Sequence, residues 1–369
     1  MDRTLFAASP RELPFYRGED RTLLEMLPAL RFLADRVEEG DPGAVETFSV
    51  EEPDREYGFL HEAAIEAKGD TLFASWYNCP ERELFGRTPI REERSRDGGR
   101  SWSAPAVIAD ADDPAGRILF CPPVYGEEEG RLYLFLNEMV SPDHIHALSL
   151  YRMEEDGKYK KLWRKPVPFK LNTNVFRLPD GKLMLPGRVG ELDGFPNTPA
   201  VLLADAGRIE GEWRLRKIAP SGDLPDGSKL VHPEISPVIR DGTVYMFCRD
   251  DERRVPLVYL SEDMGESWTG PFSHDIPLVN SKIYTGVLSD GRAYLLGNVD
   301  LFDRSRLALY LTSPGTMRFE KRLLLRDGGL AAHYPAATET GGRLQVIYTA
   351  NRGGGRRGAE LASVDLARV

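Results

Sequence analysis

Cysteine is scarce in this chain, with three residues in 369. Cys79, Cys121 and Cys248 lie far apart and form no CxxC pair, which argues against a disulfide framework and against a zinc site. No run of 18 apolar residues occurs, so the sequence predicts no membrane-spanning helix and no membrane partner. We also predict no cofactor and no bound metal.

The chain also has fewer basic than acidic side chains. The chain has 48 Lys and Arg against 58 Asp and Glu, a formal net charge of -10. Because binding to phosphates needs a basic face, this balance argues against a nucleic-acid partner. Residues 1–20 lack the apolar core of a secretory signal, which predicts a cytoplasmic protein unless a signal has been removed.

The sequence does contain an internal repeat. Six segments each place a turn glycine before a longer apolar run, as in EEGRLYLFLN and RDGTVYMFCR. Such turns between β-rich runs are typical of hairpins. A period of 49 to 61 residues suits about four short strands, the size of one propeller blade. The turn glycines are Gly69, Gly130, Gly181, Gly242, Gly291 and Gly342. We therefore predict an all-β fold, a six-bladed β-propeller with four-stranded antiparallel blades.

The N-terminal segment differs from the repeats. Arg21–Glu38 places leucines and a phenylalanine at a 3.6-residue period, which predicts a short helical segment with a kink at Pro28. We predict that residues 1–43 form an extension whose helix packs on the propeller, and that residues 44–369 form the propeller itself. The β-rich residues 44–50 are expected to complete the last blade and so to close the ring, which removes exposed sheet edges.

Two segments share the pattern S-x-D-x-G-x-x-W, namely Ser95–Trp102 (SRDGGRSW) and Ser261–Trp268 (SEDMGESW). In such a turn the Ser and Asp side chains bond local backbone amides, glycine takes a positive φ, and Trp packs between layers. The pattern resembles the Asp-box of sialidases and related BNR-repeat propellers. Asp97 and Asp263 are therefore predicted to be structural.

Polar residues open each of the six predicted innermost strands, which would otherwise be core. In a propeller these strands line the central channel and begin at one of its mouths. A polar ring at six equivalent positions predicts a site there. The openings are His61–Ile65, Cys121–Tyr125, Asn172–Phe176, His232–Val238, Lys282–Val287 and His333–Thr338.

The resemblance to sialidases implies roles for several of these residues. Tyr334 matches the nucleophilic Tyr of the family, and Glu234 matches the Glu that activates it. Arg249 matches one carboxylate-binding Arg, and Arg306 a second, with Arg304 as a nearby alternative. Since a phenol is a poor nucleophile at its usual pKa of about 10, a neighbouring carboxylate must take its proton.

The first repeat departs from the sialidase pattern. Where sialidases carry the first Arg of a triad, this chain has His61 followed by Glu62. Their acid/base Asp corresponds to the loop at residues 77–94, which contains no Asp. Glu81, Glu83, Glu62 or His61 can take its place. Other predicted substrate-binding residues are Asn78, Asn174, Arg188, His232, Tyr284 and His333, with Trp76 as the stacking surface.

Three hypotheses for function follow. The first is a sialidase-like exo-glycoside hydrolase that acts on a terminal sugar, which can be acidic, through Tyr334 and Glu234. The second is a polysaccharide lyase that cleaves a uronate linkage, with His and Tyr as base and acid and Arg249 on the uronate. The third is a propeller that binds glycans without catalysis. The expected partner in each is a glycan or oligosaccharide.

Overall fold

The computed structural model describes residues 2–7, 9–12, 21–111, 113, 116–141, 144–190, 197–278, 281–299 and 303–369. Strands dominate these ranges, and the predicted all-β class is confirmed. The described helices are one α-helix, α1 (Arg21–Met26), and the 3-10 turns Arg3–Leu5, Pro10–Glu12 and Pro42–Ala44. None of them is long and apolar enough to cross a membrane.

The strands follow the sequence repeats. Before the first repeat come β1 (Ala29–Leu30), β2 (Leu33–Glu39) and β3 (Val45–Glu51). The first repeat contains β4 (Phe59–Lys68), β5 (Thr71–Cys79), β6 (Ile90–Ser95) and β7 (Ala106–Ala109). The second contains β8 (Leu119–Glu128), β9 (Arg131–Ser141), β10 (His144–Met153) and β11 (Tyr159–Lys165).

The third to sixth repeats contain five, four, four and three strands. The third contains β12 (Phe169–Leu171), β13 (Phe176–Arg177), β14 (Leu183–Val189), β15 (Thr198–Ala204) and β16 (Arg214–Lys217). The fourth contains β17 (Ile235–Arg240), β18 (Thr243–Cys248), β19 (Leu257–Ser261) and β20 (Thr269–His274). The fifth contains β21 (Tyr284–Val287), β22 (Ala293–Asn298), β23 (Arg306–Thr312) and β24 (Phe319–Asp327). The sixth contains β25 (Ala332–Thr340), β26 (Arg343–Gly353) and β27 (Arg356–Asp365).

These strands form five sheets in which neighbours along the chain pair antiparallel. The first and sixth repeats share one eight-stranded sheet, and the register that joins β27 to β4 is a single residue pair, Arg357 with Phe59. Farther along the same edge, the one opposite β26, β27 pairs antiparallel with β3, where Phe48 lies opposite Leu361. A strand from before the first repeat thus completes the sheet of the last one.

The turn glycines confirm the predicted hairpins. Each of the six lies in a turn between two consecutive strands of its repeat, and their φ angles run from 56° to 87°. An L-residue with a side chain rarely adopts this backbone conformation, whereas glycine does so at little cost. The repeat in the sequence therefore follows from the tight turn that each sheet requires.

The helical prediction for Arg21–Glu38 is wrong beyond Met26. Pro28 has no amide hydrogen and disfavours helix at the residue before it, so α1 ends at Met26. The chain then adds β1 parallel to β20 and β2 parallel to β24, at the edges of two sheets. The carboxylate of Asp275 accepts hydrogen bonds from the backbone amides of Phe32 and Leu33, at 2.7 and 3.1 Å. The apolar period reflects burial against these two sheets rather than one helix face.

The two S-x-D-x-G-x-x-W segments form matching turns, which connect β6 to β7 and β19 to β20. In the second copy the Ser261 hydroxyl accepts a hydrogen bond from the Gly265 amide at 2.8 Å, and Asp263 accepts one from the Ser267 amide at 2.8 Å. The indole of Trp268 donates to the Gly265 carbonyl at 3.1 Å. The first copy repeats all three bonds within 0.1 Å. The turns hold the outer strands together and lie away from the strand openings.

Candidate active site

Two innermost strands carry the same irregularity at corresponding positions. The pairing register of β4 shifts directly after His61, and that of β25 shifts directly after His333. The next residue in each strand has a left-handed backbone, with φ 47° at Glu62 and 59° at Tyr334. Such conformations cost on the order of 1–3 kcal/mol and persist where the surrounding structure imposes them. Because a bulge re-aims a side chain, both residues line one cavity instead of continuing the strand alternation.

The cavity has a volume of about 230 Å³. Five cationic and three acidic side chains contribute to its wall, in a chain whose net charge is -10. Positive charge is therefore concentrated where the protein as a whole is acidic, an arrangement that raises the local concentration of anions. The wall consists of His61, Glu62, Glu83, Lys170, Arg188, His232, Glu234, Arg249, Arg304, Tyr334 and Arg357.

Arg249 lies at the centre of a hydrogen-bonded network in this wall. One guanidinium nitrogen of Arg249 donates to the Glu234 carboxylate and, at 2.9 Å, to the Tyr334 hydroxyl. Its Nε donates to Asp251 at 2.5 Å, and the other oxygen of Asp251 lies 2.6 Å from Nδ1 of His232. Glu234 and Tyr334 share this arginine, and no hydrogen bond joins the two residues directly.

The protonation states of this network differ from those of exposed side chains. Burial on its own would raise the pKa of Glu234, but the charges of Arg249, Lys282 and Arg188 outweigh it and lower the pKa to about 2. Burial, reinforced by the charge of Glu234, raises the pKa of Tyr334 above its usual value. At neutral pH the site therefore presents a neutral phenol and an ionised carboxylate on either side of one guanidinium.

Glu62 has its own cation. The Lys282 ammonium donates to the Glu62 carboxylate at 3.0 Å, and the Cys121 thiol lies 3.6 Å from its other oxygen. Lys282 also lies 5.8 Å from the centre of the Tyr334 ring, and the Arg304 guanidinium lies 5.5 Å from it. These distances fall within the range of cation–π attraction, so the phenol ring is held by charge on its faces as well as at its hydroxyl.

The two histidines that precede the bulged residues are buried and neutral. Burial lowers the pKa of His61 far below its usual value and that of His333 to about 3. The His61 ring packs against the Tyr334 ring with centroids 4.3 Å apart, and its Nδ1 lies 3.1 Å from the Thr349 hydroxyl. His333 lies behind His61, with its Nε2 3.3 Å from the side-chain oxygen of Asn351, and does not line the cavity.

Glu83 is the acidic side chain that the loop between β5 and β6 contributes to the cavity. Burial and the nearby charge of Glu62 raise its pKa above the usual value. A carboxyl group with a raised pKa is suited to donate a proton near neutral pH. Glu81, the other acid considered in this loop, does not line the cavity.

Several residues expected at the site lie elsewhere. Arg306 opens β23 but turns outward and pairs with Asp327 at 2.8 Å, while Arg304, two residues earlier, lines the cavity. Tyr284 is buried in the hydrophobic cluster between the sheets of the first, fifth and sixth repeats. Its strand position places the side chain in the core rather than at the mouth.

The two asparagines have structural partners. Asn78 accepts a hydrogen bond from the indole of Trp76 at 2.9 Å, and Trp76 itself is 0% exposed, so it offers no stacking surface to a ligand. The Asn174 side chain accepts from the Tyr125 amide at 2.9 Å and donates to the Ile65 carbonyl at 3.1 Å. Both asparagines satisfy buried groups between strands and lie outside the cavity wall.

Two cations in the wall were missed from the sequence. Lys170 lies two residues before the predicted opening at Asn172, and Arg357 is the second residue of the third strand of its repeat rather than part of the first strand. One signal was available in the sequence. HEAA at residues 61–64 and HYPAA at residues 333–337 are similar, and these two segments form the paired bulges.

The sequence matches the family described as a BNR repeat-like domain over residues 70–346. No curated protein sequence matches the chain significantly. Among solved structures, a mutant of Trypanosoma rangeli sialidase displaying trans-sialidase activity is similar, with a TM-score of 0.67 and 12% identity. That alignment covers 89% of this chain and 60% of the sialidase, so the chain spans less than two thirds of that protein.

Two further structures are similar. The Hadza microbial sialidase Hz136 has a TM-score of 0.67 and 15% identity, with 85% of this chain and 67% of that chain covered. A protein of unknown function from Dyadobacter fermentans has a TM-score of 0.69 and 12% identity, with 87% and 99% covered. At such identities the likeness establishes the fold, which is a β-propeller of the sialidase-like kind.

Proposed function

Because this chain belongs to the BNR repeat-like domain family, we propose that it is a six-bladed propeller whose cavity hydrolyses a glycan and releases a terminal acidic sugar. The observation that carries the proposal is the Arg249 guanidinium, which bonds both Glu234 and Tyr334 in a wall rich in cations. In the proposed mechanism Tyr334 is the nucleophile, Glu234 its base and Arg249 the cation that binds the anionic group.

The count of six blades is supported by the sequence and by the strand pairing. Six repeats carry turn glycines, and the sheet that the first and sixth repeats share is held between β27 and β4 by one residue pair. We treat its two halves as two blades. In this reading β3 completes the last blade, and its pairing with β27 closes the ring.

We assign Tyr334 as the nucleophile. Its hydroxyl oxygen forms a bond to the anomeric carbon while its proton passes to the Glu234 carboxylate. In the free protein the Glu234 carboxylate accepts a hydrogen bond from the Arg249 guanidinium. An anionic group of the substrate that takes Arg249 as its partner frees the carboxylate oxygen to accept that proton. A neutral phenol also avoids the repulsion that a carboxylate nucleophile would meet from an anionic sugar.

Glu83 is the proposed general acid. It protonates the leaving oxygen as the bond from the anomeric carbon to that oxygen breaks. In the second step Glu83 takes a proton from water, the water oxygen attacks the anomeric carbon, and Glu234 returns the proton to the departing phenol. Two displacements at one carbon give net retention of configuration.

The proposal is tested by screening chromogenic sialosides, uronides and neutral glycosides with the wild-type protein and with Tyr334→Phe. We expect cleavage of an anionic glycoside by the wild type and its loss in the variant. Cleavage that is unchanged by Tyr334→Phe, or cleavage of neutral glycosides only, would contradict the assignment.

A polysaccharide lyase is the second candidate, favoured by the contact of the His61 ring with the Tyr334 ring at 4.3 Å. A lyase would use Tyr334 and His61 as acid and base, with Arg249 on the uronate. Hydrolysis is preferred because Glu234 bonds the same guanidinium as the Tyr334 hydroxyl, whereas His61 meets the phenol only through its ring. An unsaturated product with new ultraviolet absorbance identifies a lyase. Binding without turnover, with only affinity lost in Tyr334→Phe, identifies a non-catalytic propeller.

A further inference from the structure

Two cations face each other across a pair of strands in the cavity wall. Lys170 in β12 and Arg188 in β14 are directly opposite in the antiparallel register. Both line the cavity, and both are buried, with 7% and 5% of their surface exposed. Like charges in this arrangement repel each other and destabilise the sheet.

Neither side chain forms a close ion pair in the part of the chain that the structure describes, although the charge of Arg188 helps to lower the pKa of Glu234 and that of Lys170 acts on Glu83. Two nearby cations do form close ion pairs, Arg249 with Glu234 and Lys282 with Glu62. The Nε of Arg188, by contrast, is buried without a hydrogen-bond partner. A buried cation without a close ion pair is costly, so this side of the cavity favours the binding of a second negative group.

We propose that Lys170 and Arg188 form a subsite for a second oxyanion substituent of the bound sugar, a sulfate ester or an additional carboxylate. This inference rests on the proposed function for the identity of the ligand as a sugar, but not for the presence of the subsite. The guanidinium offers a planar pair of donors and the ammonium a point charge, a combination that suits an oxyanion with several acceptor atoms. The substrate is then a sugar with two negative groups, one at Arg249 and one here.

The first test measures the binding of sodium sulfate by isothermal calorimetry, with ionic strength held constant by sodium chloride. We expect Lys170→Met and Arg188→Met each to weaken sulfate binding about tenfold or more, because each removes a charge-assisted hydrogen bond. Lys170→Arg keeps the charge and should retain binding. The matched control is Lys160→Met, which removes an exposed charge from β11 and should leave the affinity unchanged.

The midpoint of thermal unfolding is the second measurement. If the buried cations had a purely structural role, removing one would not raise this midpoint. Without sulfate, Lys170→Met should raise the midpoint relative to the wild type, because it removes the repulsion between two buried cations. The increase in midpoint on adding sulfate should shrink in the same variant. Sulfate affinity that is equal in the wild type and in both methionine variants overturns the proposal, as does a ligand-free midpoint that falls in both.

The same assay distinguishes this inference from the proposed hydrolysis. Tyr334→Phe should still bind sulfate, so loss of turnover with sulfate binding intact supports the subsite on its own terms. If the protein is an active hydrolase but Lys170→Met leaves its sulfate affinity unchanged, the subsite proposal is wrong and the proposed hydrolysis is unaffected. Competition between sulfate and a sulfated or a uronic monosaccharide then shows which substituent occupies the subsite.

Discussion

The bulges in β4 and β25 have the same backbone conformation but carry side chains of different chemistry. Each places a residue with positive φ after a buried histidine, and each aims that residue into the same cavity. In β4 the residue is Glu62, held by Lys282, and in β25 it is Tyr334, held by Arg249. The comparison shows how a repeat protein can specialise. The fold supplies an aimed position more than once, and single substitutions give the copies different tasks.

Replacing the β25 phenol should have the largest effect. Tyr334→Phe removes one hydroxyl and keeps the ring packed on His61, so we expect activity on a cleavable glycoside to fall at least about a thousandfold with little change in stability. Initial rates and urea unfolding of the same preparation measure both. Tyr284→Phe, a buried tyrosine outside the cavity, is the matched control and should keep near wild-type activity. Equal loss in both variants would contradict the special role of the β25 position.

Removing the cation of the β4 bulge should have the next largest effect. Lys282→Met leaves the Glu62 carboxylate buried without its partner, which costs about 3–5 kcal/mol of unfolding free energy. Urea denaturation measures this cost. The double variant Glu62→Gln, Lys282→Met should recover much of it, because no charge is then left unpaired. A double variant as unstable as the single one would show that packing, rather than charge, makes the pair necessary.

A substitution in an outer turn should lower the stability of the protein without lowering its activity. Ser261→Ala leaves the buried Gly265 amide without its acceptor, which should cost about 1–3 kcal/mol of unfolding free energy. Activity at a temperature where the variant is folded should match the wild type. Reduced activity in the folded variant would mean that the outer turns influence the cavity, against the separation inferred from their positions.

The histidines of the two bulges should give the smallest effect, a pH dependence of stability. Both have a folded-state pKa below the unfolded value, so the unfolded chain takes up protons first and stability falls as pH drops below about 6.5. Between pH 6 and pH 5 each contributes about 1 kcal/mol of this loss. His333→Gln should therefore flatten the decline measured by urea unfolding over this window. A slope that is unchanged in the variant would show that His333 is not kept neutral by burial.

Much of the fold could be read from the sequence because it depends on local rules. A turn glycine needs positive φ, and the S-x-D-x-G-x-x-W segment satisfies its own backbone, so both leave residue patterns at fixed spacing. The N-terminal segment could not be read in this way. The partners of β1 and β2 are β20 and β24, some 240 to 290 residues later, and the apolar spacing that suits their edges also imitates a helix.

The site was predictable where a residue belongs to a strand opening and less so elsewhere. His61, Glu62, Glu234 and Tyr334 were placed in the wall by their positions in the repeat. Side-chain alternation along a strand cannot locate a bulge, and a shift of one residue reverses which face a side chain occupies. Arg304, which reaches the cavity in place of Arg306, lies in the loop before β23 and therefore outside any strand pattern.

The pairing of β3 with β27 also has a consequence for biosynthesis. Phe48 leaves the ribosome about 310 residues before Leu361, its partner across the sheet. At a synthesis rate of roughly 5–20 residues per second, β3 waits on the order of 15 to 60 seconds with its edge unpaired. The final sheet can form only when the last strand has emerged. A nascent chain stalled before β27 should therefore expose an open strand edge, a natural target for chaperones and for aggregation.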